Sequence, residues 1–73
     1  MTVILCIDFH RKPINWESPV LPRIGEKLFT GDFFPGEELS QMEDYLIVRD
    51  VIWHKEKEDS KEYSISLLLD YQE

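Results

Sequence analysis

The chain has 73 residues, enough for one domain at most, and a domain of this size buries only about 60% of the surface its unfolded form exposes, so the core is small. Apolar residues make up 42% and charged residues 32%, a globular composition rather than a disordered one. Fifteen acidic against eight basic side chains give a net charge of −7, which disfavours nucleic acid and anionic membranes as partners, and no apolar run approaches the ~18 residues of a membrane-crossing helix.

The opening run MTVILCIDF lacks a basic segment and reaches Asp8 too early for a signal-peptide core, so a cytoplasmic location is expected. Cys6 is the only cysteine, which excludes an internal disulfide. Without such a staple, a small domain relies on packing or on self-association, and a homodimer is one expected assembly.

From Thr2 to His10, Val3, Leu5, Ile7 and Phe9 alternate with Thr2, Ile4, Cys6, Asp8 and His10, the period of a half-buried strand. HRKPINWESPVLP, with three prolines, is expected to interrupt the ladder as an irregular connection. Pro22 cannot donate a backbone hydrogen bond and Gly25 can adopt a positive φ, so Pro22 to Gly25 is predicted to reverse the chain before a short strand over Glu26 to Thr30.

GDFFPGEELSQMED is expected to be a loop with at most one helical turn. Pro35 and Gly36 break the strand, Leu39 and Met42 sit at helical spacing, and Ser40 with Glu43 has capping-box spacing. Tyr45 to His54 is apolar on both faces except at Arg49 and Asp50. It is either a central strand covered on two sides, or a strand with a bulge there that transfers the inward phase. The polar run KEKEDSKE reads as a solvated hairpin loop, and Tyr63 to Tyr71 alternates as the last strand.

Leu21, Pro22, Arg23, Ile24, Gly25 and Glu26, followed by Tyr45, Val48, Val51, Trp53 and His54, form a pattern covering about half the chain. In it the chain resembles small bacterial and phage-type proteins that carry a Pro-Arg-x-Gly-Glu segment and a strand ending in Val-x-His or Trp-His. The resemblance implies a mainly all-β fold, an SH3-like barrel of about five antiparallel strands. It implies no activity. The insertion with Phe33, Phe34 and the acidic residues Glu37 to Asp44 is longer than that pattern requires.

Catalytic, metal and cofactor chemistry finds little support in the residue types. Cys6, Asp8 and His10 would share one face of a strand, but a structural zinc site needs four ligands, usually with two thiolates; a solvated strand face is the expectation. Cysteine catalysis would need Cys6 beside His54. Neither a metal, a cofactor nor a catalytic residue is therefore expected. Trp16, Phe33 and Phe34 are surplus aromatics in loop-like segments, where SH3-like barrels place a recognition shelf, although they would also serve to plug the open ends of a barrel. Trp53 is expected in the core. Arg23 either pairs with Glu26 across the turn or anchors Asp50 or a partner's carboxylate.

The function expected from these features is a non-catalytic protein-binding module, with Trp16, Arg23, Phe33 and Phe34 as candidate partner contacts and Pro22 and Gly25 as the structural turn. The alternative is an acidic mimic of nucleic acid that blocks a DNA-binding protein, which needs Glu37, Glu38, Glu43, Asp44, Glu56, Glu58 and Asp59 on one surface.

Overall fold

The computed structural model describes residues 1–8, 10–55 and 63–71. The strands are β1 (Thr2–Ile7), β2 (His10–Asn15), β3 (Lys27–Phe29), β4 (Tyr45–Lys55) and β5 (Tyr63–Tyr71). Between β3 and β4 lie a 3-10 turn, Thr30–Asp32, and one turn of α-helix, α1 (Gly36–Leu39). The described residues thus form a mainly β protein with one five-stranded sheet, ordered β2-β1-β5-β4-β3. The sheet curls into a half-barrel whose outer strands do not pair with each other. Among the described residues no helix is long and apolar enough to cross a membrane.

Alternation dictates which face is buried. Val3, Leu5 and Ile7 of β1 meet Ile65, Leu67 and Leu69 of β5 on the inner face, and all six are buried. Leu28, Leu46, Val48 and Phe34 complete the core. A single sheet needs a second layer to cover such a face. Here two irregular segments provide it, contributing Trp16, Leu21, Phe33, Leu39 and Met42 against the core.

Of the two readings of β4, a strand covered on both sides or one with a bulge at Arg49 and Asp50, the structure has the bulge. Val48 pairs with Leu69 and Asp50 with Leu68, so Arg49 is the extra residue, and the inward set passes from Leu46 and Val48 to Val51 and Trp53. The short strand and the single helical turn also fall where the sequence places them. The capping-box spacing does not start a helix, however: Pro35 is the N-cap and Ser40 the C-cap of α1.

Three expectations are corrected. Residues 10–15 form a strand rather than an irregular connection: the chain reverses at Asp8, which has φ 49°, and β2 pairs antiparallel with β1. Pro13 is tolerated because β2 is an edge strand, where a missing N–H need not face a ladder partner. Secondly, β1 and β5 run parallel, so the sheet is mixed rather than wholly antiparallel. Thirdly, Trp53 is 57% exposed, because β3 is too short to bring cover to that end of β4. Phe9 and the run KEKEDSKE beyond Lys55 lie outside the described residues.

Candidate binding surface at the open edge of the fourth strand

The turn that shapes this surface spans Arg23–Glu26, one residue later than the expected Pro22–Gly25 reversal, with Pro22 preceding it. Glu26 N–H donates to Arg23 O at 3.0 Å, and Gly25 has φ 93°, as the third residue of a type II turn requires. Arg23 N–H donates to the Glu26 carboxylate. Gly25 N–H then donates to Val48 O at 2.8 Å and Val48 N–H to Glu26 O at 2.9 Å, which fastens the turn to β4 immediately before the bulge. The turn is architecture, and it also ends the cover of β4: β3 pairs only with residues 45–47. From Arg49 to Lys55 no strand among the described residues lies on the far side of β4.

An edge of this kind presents the N–H and C=O of every second residue to whatever approaches. The other two edges are guarded, β2 by Pro13, Arg11 and Lys12 and β3 by its three-residue length. The β4 segment has no proline and carries exposed Ile52 and Trp53. Trp53 sits edge-on to Tyr63, with ring centroids 6.2 Å apart.

Beside this edge is a cleft of ≈ 770 Å³, lined by Met1, Trp16, Val20, Leu21, Arg23 and Trp53 among others. Trp16 is fixed there twice, its indole N–H donating to Val20 O at 2.9 Å and its ring stacking on Phe33 at 5.9 Å. Of the four partner contacts expected from sequence, Trp16 and Arg23 therefore line one cleft, while Phe33 stacks on Trp16 and shares with it a neighbouring cleft also lined by Ile14, Glu17 and Asp32. Phe34 is separated from them. It is 5% exposed, packed in the core with the Lys12 ammonium 5.3 Å from its ring, and so it serves packing rather than recognition. Trp53, Met1 and Val20 are among the lining residues the sequence reading missed. The available signal was a length mismatch: a strand of five expected residues cannot cover one of ten.

At the other end of the sheet, Asp8, Glu37 and Glu38 line a second cleft with Tyr71. Partial burial, then the nearby Asp8 and Glu43 carboxylates, push the Tyr71 hydroxyl above its ordinary range. Of the seven acidic residues the mimic reading needs, Glu56, Glu58 and Asp59 lie outside the described residues.

The chemistry weighed from sequence does not assemble. His10 pairs with Ile7, on the face opposite Cys6, because the chain turns between them. Among the described residues no three His, Cys, Asp or Glu side chains come together as a metal site. Cys6 pairs with Leu68 and His54 with Ser64, a separation of about 13 Å along β5 alone, so thiol and imidazole cannot share a proton. The His54 ring bonds Ser66 Oγ at 3.1 Å instead. Compared with protein-family models, with curated proteins and with solved structures, the chain matches none.

Proposed function

We propose that this protein is a non-catalytic interaction module that binds another protein chain in the cytoplasm of a bacterial or phage-infected cell. The observation that carries the reading is the proline-free stretch of β4 that no described strand pairs, beside the cleft of Trp53, Trp16 and Arg23. Backbone groups on such an edge supply affinity by strand addition, and the adjoining apolar cleft selects side chains. This use of an aromatic surface between loops also agrees with the resemblance to SH3-like barrels.

Site-specific photo-crosslinking tests the reading. A photoreactive amino acid at Trp53 is expected to capture a protein chain in the native host, while the same group at Glu37 on the acidic end captures none. Absence of any adduct at Trp53 overturns the reading. Capture of a DNA-binding protein from Glu37 alone favours the mimic, which the grouping of Asp8, Glu37 and Glu38 around one cleft supports.

A further inference from the structure

The open edge of β4 is complementary to itself. Asp50 to His54 reads DVIWH. Set antiparallel against a second copy about Ile52, it brings Asp50 opposite the partner's His54, Val51 opposite the partner's Trp53, and Ile52 opposite the partner's Ile52. An acidic group then meets an imidazole at both ends, and an aromatic residue meets a β-branched one, the combinations that favour cross-strand pairs.

We propose that the chain forms a two-fold homodimer by β4–β4 pairing centred on Ile52, joining two half-barrels into one continuous sheet. The proposal rests on the reading of this edge as the binding surface and names its occupant.

A two-fold axis perpendicular to the sheet keeps every side chain on its own face, so directly opposed residues must have the same inward or outward phase. Only registers centred on a residue satisfy this. Centring on Trp53 sets Lys55 against Val51 and His54 against Ile52, and centring on Val51 sets Asp50 against Ile52. Neither sets a carboxylate against a basic side chain. Centring on Ile52 sets the Asp50 carboxylate against the partner's His54 imidazole, a hydrogen-bond donor, twice.

The surroundings fit the same register. Val51 and Trp53 are on the inner-face phase, so the partner's Trp53 projects on the face where the cleft lined by Val20, Leu21 and Met1 adjoins the edge. On the outer face, Ser66 holds the His54 ring through Nε2, which leaves Nδ1 as the nitrogen that meets a carboxylate. Arg49, which would otherwise oppose the partner's Lys55, is drawn to Asp70 at 3.5 Å. With Arg49, Asp50 and Lys55 the edge carries both signs of charge, so the chain's net charge of −7 is not concentrated where two copies meet.

Sedimentation velocity over a concentration series of the full chain tests the dimer. The expected result is a concentration-dependent dimer that Ile52→Lys, which puts two like charges on the axis, converts to monomer with unchanged circular dichroism. Asp50→Arg should weaken association about tenfold and Asp50→Arg with His54→Asp should restore it. Register is read independently in a Cys6→Ser background. Mild oxidation should link Ile52→Cys chains into covalent dimers and leave Trp53→Cys chains single.

A chain monomeric at every concentration overturns the dimer. So does a dimer indifferent to Ile52→Lys and to the charge exchange, or crosslinking through position 53 in place of 52. A monomer that still forms Trp53-dependent adducts with a different protein overturns the homodimer alone and leaves the interaction-module reading standing.

Discussion

Gly25 and Arg23 are neighbours in one turn, and the structure assigns them unequal weight. A Cβ built at Gly25 meets nothing within 4 Å, so any penalty for a side chain there comes from φ 93° alone. Gly25→Val is expected to lose about 2 kcal/mol or more, because a β-branched residue resists the left-handed region. Arg23 contributes its backbone N–H to the Glu26 carboxylate, a bond that survives truncation of the side chain. Arg23→Ala should therefore stay within about 0.5 kcal/mol of the parent. Urea midpoints of the two variants check the difference. Thr30 offers the opposite case. Its residue is fully buried and its hydroxyl has no hydrogen-bond partner among the described residues, while its backbone N–H and C=O are engaged by Asp44, Phe33 and Phe34. Thr30→Val keeps the shape and the backbone bonds and removes the stranded hydroxyl. It should raise stability by about 1 kcal/mol, measured as an increase in urea midpoint at constant slope.

Among the elements, β4 shows what a pattern can and cannot tell. YLIVRDVIWH has apolar residues in both phases, and only a bulge lets Leu46, Val48 and Val51 all turn inward; the two polar residues mark the place. Because Arg49 is the unpaired extra residue, its removal leaves Val48 opposite Leu69 and Asp50 opposite Leu68. A chain lacking Arg49 should fold with a straighter β4 and a modest loss, since its exposed ion pair with Asp70 is worth about 0–1 kcal/mol. A chain lacking Val51 shifts the phase of everything after it and should not fold. Amide exchange across β4 and β5 distinguishes the two. If the chain without Arg49 also fails, the bend itself, and not the phase, is what the curled sheet needs. β2 was illegible for a different reason. Pro13 forbids a central strand but not an edge, and whether a segment is an edge depends on the partners of β1, which local pattern does not contain.

For the molecule as a whole, β1 and β5 were legible because each alternates over six or more residues, and β4 because its apolar run is interrupted only at Arg49 and Asp50. Their order and direction were not. The parallel contact of β1 with β5 joins residues far apart in the chain, and no spacing within either strand announces it. The candidate site divides the same way. Trp16 and Arg23 stood out as a surplus aromatic and a turn cation in a loop-like stretch. Trp53 did not, since its phase marks the inner face while its exposure depends on how far a neighbouring strand extends. Size adds a further constraint. Among the described residues ten form the buried apolar core, and in the elongated 41 × 24 × 23 Å body no described strand pairs with the far end of β4. So small a core leaves a surface contact as the economical way to cover that end.

The pairing of Val3 with Ile65 has a consequence for how the protein is made. During translation β1 leaves the ribosome before β5, because the strand that covers its flank is synthesised more than sixty positions later. Until then Val3, Leu5 and Ile7 have only β2 beside them, and a two-stranded hairpin is marginally stable at best in water. A nascent chain stalled before Tyr63 therefore displays an oily strand to chaperones and proteases, and release of the last strand is the step that ends its exposure.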